Sequence, residues 1–436
     1  MTVPAANAFG ATMLIVLVGL IGLLNLIKYG KLIRDLMEPI TWFALFLGIF
    51  FIYNFLFVGY EFSWPCIWVI ISGSIIFILG YYSQLSVLLA RRFNGLFPYK
   101  KIVSPTLGQL LLLVVFVFGF QILFMAWKLS YWNVSLDQYL SSTLIFHARE
   151  KMGGYFYMPI QRFISSLFYL LIFLYLSKKK NYRALIIPIG LIVLFTGLNL
   201  SASRWSILSS VLLTPFILYQ VLLKRKAQVR MCFVLILILV PFLLIVVNEW
   251  RHRGTLDIGR LTRAGFVTTG LQSLRGDTIP ARNLDKLVRY LSETYDYHYG
   301  WYFVTQLLTF MPRFVWRGKP VTSFDFAYTL KVMGINPITS YTTHAFTIFD
   351  SYAWLGWGTL LFASLLIGIL SRAVYEAMWR GNVFFLLFAI PFIRNYLLFL
   401  RGSSVDIIPF YIVDFAVIFV IYYTFKLVGL LKVKTG

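Results

Sequence analysis

Long apolar runs separated by short polar links set the pattern of this chain. Most runs are about 20 residues long, the length that a helix needs to cross the hydrocarbon core of a bilayer. A segment in lipid must satisfy its own backbone hydrogen bonds, so the runs predict helices. The pattern predicts eleven spans, at 8–27, 40–59, 64–90, 106–127, 159–177, 184–200, 204–223, 231–249, 346–371, 383–400 and 408–428.

The links between these runs predict the orientation of the chain. Six alternate connections hold 20 Lys and Arg but 3 Asp and Glu, at 28–38, 91–101, 178–183, 224–230, 372–380 and 426–434. Short basic links stay in the cytoplasm. We therefore expect an external N-terminus and an internal C-terminus.

Composition narrows the class of protein. The chain has 436 residues, of which 60% are hydrophobic and 13% charged, and its mean hydropathy is +0.80. Such a composition excludes a disordered chain and does not suit a soluble globular one. The net charge of +23 would suggest nucleic acid in a soluble protein. In this chain, about half of the basic residues lie in the predicted cytoplasmic links, where they set the orientation of the spans. We therefore expect no nucleic-acid partner.

One predicted outer loop, 250–345, is much longer than the others. Loops of this length are usually functional or disordered. Its stretch 295–316 is rich in Tyr, Trp and Phe, which favour the membrane interface. We therefore expect short interfacial helices in it. The sequence predicts an N-terminal membrane bundle over 1–249, this loop over 250–345, and a C-terminal membrane bundle over 346–436.

Common soluble-enzyme motifs are absent from the sequence. It contains no phosphate-binding GxxxxGK[ST], no HExxH and no CxxC, and its four histidines are scattered. We therefore expect no metal and no cofactor.

Cationic groups at the predicted outer membrane boundary are the candidate site. Arg204 lies in a Ser-Ala-Ser-Arg turn, and Arg401 opens the turn Arg-Gly-Ser-Ser-Val-Asp. Arg313, Arg317 and Lys319 lie in the stretch Pro-Arg-Phe-Val-Trp-Arg-Gly-Lys-Pro. Each can be an interfacial anchor or a ligand group. Guanidinium groups bind phosphate in a fork, so the cluster favours a lipid-linked phosphate or pyrophosphate.

Arg394 differs because it lies within a predicted span. A charge in the hydrocarbon is usually paired or functional. Asp414, on the next span, is at the depth expected of a partner. Arg394 either forms this structural pair or extends the cationic site toward the pyrophosphate.

Four segments together resemble the Wzy family of O-antigen and oligosaccharide repeat-unit polymerases, and the enterobacterial common antigen branch in particular. They are the turn 201–204, the stretch 312–320, the run 343–358 (Thr-His-Ala-Phe-Thr-Ile-Phe-Asp-Ser-Tyr-Ala-Trp-Leu-Gly-Trp-Gly) and the turn 400–406. The resemblance implies an all-helical glycosyltransferase of the GT-C class in the bacterial inner membrane, with its active site facing the periplasm.

The resemblance also implies a reaction and its partners. Such enzymes transfer a glycan from undecaprenyl pyrophosphate to the non-reducing end of another lipid-linked repeat unit, without a nucleotide sugar or a metal. A polysaccharide co-polymerase that regulates chain length is a partner that such enzymes can have. Arg204, Arg313, Arg317 and Arg401 fall on arginine-bearing segments, where the expected role is to bind the pyrophosphate and stabilise its charge as it leaves.

The general base is left open by the sequence. The acceptor hydroxyl must lose a proton, which a histidine or a carboxylate can take. His344 is the first candidate because it lies at the outer start of a predicted span. The carboxylate alternatives are Glu249, Asp325, Asp350 and Asp406.

Two other functions fit the same outline. An O-antigen ligase would transfer a finished glycan to lipid A core, and a flippase would carry lipid-linked sugars across the membrane. The Trp-Arg-Gly-Lys-Pro stretch favours the polymerase. The unlike halves of the chain disfavour the flippase.

Overall fold

The computed structural model describes the chain in separate ranges. These are 4–32, 38–98, 101–102, 106–132, 279–297, 348–380, 382–388, 404–427 and 431–432, with single helical positions at Leu167, Leu171, Leu174, Ile192, Trp301, Val304, Val332, Phe392, Tyr396 and Leu400. Five described helical segments are long and apolar enough to cross a membrane: Ala5–Tyr29, Pro39–Phe57, Trp64–Tyr82, Leu107–Trp127 and Trp357–Trp379. The protein is helical and crosses the membrane several times, as the sequence predicts.

The described helices are numbered here in chain order. They are α1 (Ala5–Tyr29), α2 (Pro39–Phe46), α3 (Tyr53–Phe57), α4 (Trp64–Tyr82), α5 (Gln84–Leu96), α6 (Leu107–Trp132), α7 (Ile279–Thr294), α8 (Tyr352–Leu355), α9 (Trp357–Trp379) and α10 (Ser404–Leu427). A π-helical segment, Leu47–Ile52, joins α2 to α3 and makes one continuous span of them. Strands β1 (Lys101–Ile102) and β2 (Leu431–Lys432) pair antiparallel.

The helices fall into two compact units. The first comprises 1–97, 275–380 and 395–412, and the second comprises 98–274, 381–394 and 413–436. In the first, the N-terminal ends of α1, α4 and α9 meet at one end, which we call the outer end after the orientation that the sequence predicts. The opposite end is the inner end. In the second, Phe384 packs edge-on against Phe415 and Tyr422, beside the buried Asp414.

Two predicted spans are placed differently by the structure. The run 64–90 is not one helix, because Ser83 is extended and separates α4 from α5. The Ser83 hydroxyl donates to the Gly80 carbonyl, and the Ser86 hydroxyl donates to the Ser83 carbonyl, so side chains satisfy acceptors at the break. The span predicted over 346–371 begins at Trp357 instead, because Gly356, with φ 70°, breaks the helix before it.

Because this span begins later than predicted, Arg372 lies inside the helix and not in the link after it. The charge pattern predicts it in a cytoplasmic link, but it lies within α9 and is 2% exposed. Its guanidinium donates to the Tyr81 carbonyl and the Tyr29 hydroxyl, both at 3.1 Å. These contacts let one buried cation join α1, α4 and α9 at the inner end.

Glycines let α4 and α9 approach closely. A Cβ on Gly80 would collide with the Leu365 carbonyl oxygen, and a Cβ on Gly368 would collide with the Phe77 carbonyl oxygen. Small residues at a crossing allow the backbones of membrane helices to touch, which supplies the packing that lipid cannot. The two parallel helices are therefore held face to face along the first unit.

Candidate functional site

The outer end of the first unit is where the long predicted loop meets the membrane helices. Helix α7 lies within the loop range 250–345, and its apolar face is buried at Ala281, Leu284, Val288 and Leu291. These positions recur at helical spacing, so α7 is an amphipathic helix that packs through one side. It contacts α4 and α8. The loop range therefore contains at least one helix, while the predicted interfacial position of such helices and the domain boundaries stay predictions.

Asp285 fastens α7 to the loop that precedes α4. Its carboxylate accepts from the Ser63 backbone N–H at 2.8 Å, the Ser63 hydroxyl at 2.5 Å and the Tyr60 hydroxyl at 2.8 Å. The Arg289 Nε also donates to it, at 2.8 Å, and the same guanidinium donates to the Glu61 carbonyl. The Asp285 side chain is fully buried. Its charge is compensated by four donors, which is what makes its burial tolerable.

The loop before α4 is also tied to α1. The Asn7 amide donates to the Tyr60 carbonyl at 2.6 Å, and its oxygen accepts from the Phe62 N–H at 3.0 Å. Ser63 caps α4, because its hydroxyl accepts from the Cys66 N–H while it donates to Asp285. The first turn of α4 and the loop before it are therefore positioned by two distant parts of the chain, α1 and α7.

The electrostatics at this end favour neutral phenols. Burial, and then the neighbouring Asp285 carboxylate, raise the pKa of Tyr60 above its ordinary value. Arg282 lies 5.8 Å from the centre of the Tyr60 ring, and this cation stacks on its face. Burial, and then a hydrogen bond with Tyr297, raise the pKa of Tyr352 in the same direction. Both phenols therefore stay protonated at neutral pH, and Tyr60 donates its proton to Asp285.

Residues 348–358 bring part of the 343–358 segment to the outer end. Asp350 lies in the turn before α8 and is fully buried. The Thr359 hydroxyl donates to the Ser351 carbonyl at 2.6 Å and accepts from the Leu355 N–H, which holds the bend before α9. Tyr352 packs edge-on against Tyr297, which follows α7.

A groove with a volume of about 540 Å³ opens beside these contacts. This volume is in the range of ordinary ligand sites. Aromatic rings and small hydroxyl side chains line it, from α4, α7, α8 and the start of α9: Trp64, Pro65, Trp68, Ser72, Ser292, Tyr352 and Trp357. Among the described residues, the lining contains no charged side chain.

The sequence-predicted site residues fall mostly outside the described part of the chain. This applies to Arg204, Glu249, Arg313, Arg317, Lys319, Asp325, His344, Arg394 and Arg401. Asp406 lies in α10, but its side chain is also outside the described residues. Asp350 is the predicted base alternative whose side chain is described. A general base has to reach the acceptor hydroxyl. The buried Asp350 would therefore need the turn 348–351 to open.

Asp285, Ser63 and Tyr60 are not among the site residues that the sequence predicts. A signal for Asp285 exists in the sequence, because this acid interrupts the apolar stripe of α7 between Ala281 and Val288. An acid on the buried face of an amphipathic helix requires donors. Which donors it meets depends on a loop more than 200 positions earlier, and no local pattern reveals them.

The described ranges contain no group of three or more His, Cys, Asp or Glu side chains placed to hold a metal ion. The expected absence of a metal remains a prediction for the whole chain. Comparison of the chain with protein-family profiles, curated proteins and solved structures finds no match.

Proposed function

We propose that the protein is a glycosyltransferase that polymerises undecaprenyl-pyrophosphate-linked oligosaccharide repeat units. The reaction takes place on the periplasmic face of a bacterial inner membrane. The nascent glycan is transferred from its carrier to the non-reducing end of a new lipid-linked unit. The proposal rests on the four resembling segments and on their predicted position at the outer boundary.

One structural observation gives the proposal its main support. Residues 348–358, the described part of the resembling run, contact the predicted long loop in two ways: α8 packs against α7, and Tyr352 packs edge-on against Tyr297, which follows α7. The α7 helix is fastened to the start of α4 through Asp285. A loop that handles an acceptor glycan has to be held at the site of transfer, and this arrangement suits that requirement.

The chemistry follows from the residue types. The acceptor hydroxyl oxygen attacks the anomeric carbon of the donor glycan, and the bond from that carbon to the pyrophosphate oxygen breaks. The hydroxyl proton passes to a base, for which His344 is the first candidate and Glu249, Asp325, Asp350 and Asp406 are the alternatives. Arg204, Arg313, Arg317, Lys319 and Arg401 stabilise the negative charge that develops on the leaving pyrophosphate.

Reconstitution tests this function directly. Purified protein in liposomes receives lipid-linked repeat units and no nucleotide sugar, and the products are separated by size. A ladder of products supports the polymerase. Transfer that requires lipid A core supports a ligase, and movement of the lipid-linked sugar between leaflets without a new bond supports a flippase.

Two variants sharpen the experiment. Arg204→Lys keeps the charge but loses the guanidinium fork, so we expect at least a tenfold loss of polymer. Arg380→Lys is the matched control, because Arg380 is exposed at the end of α9. Equal polymer from both variants would mean that Arg204 is an interfacial anchor.

The proposed location needs a separate test. Reporter fusions after Lys180 and after Lys226 should report cytoplasm, and one at Arg282 in α7 should report periplasm. A cytoplasmic signal at Arg282 would put the proposed site on the wrong side of the membrane.

A further inference from the structure

The groove at the outer end lies on the lipid-facing side of α4. Trp64, Trp68, Ser72, Ile75 and Leu79 follow one another three or four positions apart, which places them on a single helix face. Trp64 is 49% exposed, Trp68 45% and Leu79 58%. Phe9 of α1 packs against Trp64 and Trp68 from one side, and the rest of this face is exposed. Because α4 is long and apolar enough to span the membrane, we infer that the exposed part faces lipid.

The depth of the groove follows from its small residue. Ser72 lies between Trp68 and Ile75 on this face and is part of the lining. Its side chain is much smaller than theirs, so it leaves room for the groove to continue. Ser72 comes eight positions after Trp64, so the groove extends about 12 Å along the helix. Its other walls are Ser292 of α7 and Trp357 of α9. The groove is open at the surface and runs along α4 from Trp64, at the N-terminal end of the helix, to Ser72.

The chemistry of the lining selects a hydrocarbon chain. Three indoles provide apolar surface, and no charged side chain is present among the described lining residues. The nearby Arg289 is held by Asp285 and by the Glu61 carbonyl. A pyrophosphate headgroup would need cations at the opening. A zwitterionic headgroup does not, and tryptophan favours the ester and headgroup region of such lipids.

We propose that this groove binds one acyl chain of an outer-leaflet zwitterionic phospholipid, as a site separate from that of the lipid-linked substrate. Helix α7 forms one wall through Ser292, so a bound chain adds apolar contact to the side of α7 that faces α4. The lipid thereby stabilises the docked position of the long loop. The inference goes beyond the proposed function, and it concerns binding rather than glycan transfer.

A quenching titration tests the site. The full-length protein is stripped of lipid in detergent and titrated with phosphatidylcholine that carries a 9,10-dibrominated acyl chain. We expect a saturable loss of tryptophan fluorescence with one site per protein. The variant that carries Trp64→Phe, Trp68→Phe and Trp357→Phe together keeps aromatic bulk but should lose the saturable part.

Variants that fill the groove provide a second test in the same titration. Ser72→Phe blocks its inner part and Ser292→Phe blocks its α7 wall, so each should abolish the saturable quenching. Leu79→Phe adds a ring on the same face about 10 Å farther along α4 and should bind like the wild type. Monodisperse elution and an unchanged helical circular dichroism spectrum establish that each variant is folded.

Competition identifies the occupant. Undecaprenyl phosphate at equal concentration should leave the saturable quenching unchanged. Displacement of the brominated lipid by that polyprenyl phosphate overturns the proposal, because the groove would then hold the carrier chain. Quenching that never saturates, or that survives in both Ser72→Phe and Ser292→Phe, also overturns it. None of these results depends on polymer formation, so failure here and failure of the proposed function are distinguishable.

Discussion

The Asp285 carboxylate accepts hydrogen bonds from both the backbone N–H and the hydroxyl of Ser63, a residue 222 positions earlier in the chain. Asp285 lies in α7, within the predicted outer loop 250–345, and Ser63 is the N-cap of the membrane-spanning helix α4. One buried acid therefore joins α7 to the membrane helices. The predicted loop is in this way attached at a defined point.

Replacement of Asp285 should release α7. In Asp285→Ala, Ser63 and Tyr60 lose their acceptor and Arg289 loses its ion partner, at a cost of about 3–5 kcal/mol. We expect a lower midpoint of thermal unfolding in nanodiscs and faster amide hydrogen exchange over 279–294. Glu293→Ala, on the exposed side of the same helix, should change neither. Unchanged exchange in Asp285→Ala would show that the apolar face of α7 holds the helix without the acid.

Tyr60 should make stability depend on pH in the alkaline range. Its pKa in the folded protein is raised, so the folded state holds the phenolic proton more tightly than the unfolded state does. The resulting stability is complete below the unfolded pKa of about 10 and is lost as pH rises above it. Wild type should therefore lose more thermal stability than Tyr60→Phe between pH 9 and pH 11. Parallel pH profiles for the two proteins would contradict this.

Substitution at Gly368 should separate α4 from α9. In Gly368→Ala, the new methyl group collides with the Phe77 carbonyl oxygen, and overpacking of this kind costs about 1–3 kcal/mol. Gly358→Ala is a matched control in the same helix, because nothing lies within 4 Å of the position that its Cβ would take. We expect a lower unfolding midpoint for Gly368→Ala alone. Equal midpoints would mean that the two backbones can move apart at no cost.

Asp414 and Arg394 should behave as a pair in a double-mutant cycle. Asp414 is 1% exposed, and Arg394, predicted at a similar depth, lies outside the described residues. Loss of one partner from a buried pair is costly. Arg394→Gln should lower the amount of folded protein in membranes, and the addition of Asp414→Asn should partly restore it. Normal protein levels together with absent polymer would instead assign Arg394 to the substrate.

The coarse fold could be predicted because lipid imposes a local rule. Each span needs about 20 apolar residues, whatever its neighbours are, so α1, α6 and the segment Pro39–Phe57 fall close to their predicted positions. This length rule does not predict where a helix is interrupted inside an apolar run. Ser83 and Gly356 redirect the chain through side-chain hydroxyl bonds and a positive φ, which hydropathy does not register.

Charge patterns distinguish the sides of the membrane but do not identify partners. The basic links predict orientation because short positive loops stay in the cytoplasm. The charge pattern also predicts that Arg372 lies in a cytoplasmic link, whereas its guanidinium is buried beside Tyr29 and Tyr81. A basic side chain that reaches out to the membrane surface and one that binds buried partners cannot be told apart in a sequence, because both are a basic residue near the end of an apolar run.

Composition and the length of the apolar runs are enough to identify a helical membrane protein, and they also predict a long, aromatic and basic loop, because these properties depend on residues close together in the chain. Three-dimensional packing alone makes Asp285 meet Ser63 and Tyr60, brings α4 against α9 at glycines, and places Trp64, Trp68 and Trp357 along one groove. Those relationships join residues hundreds of positions apart, and only packing in three dimensions selects the partners.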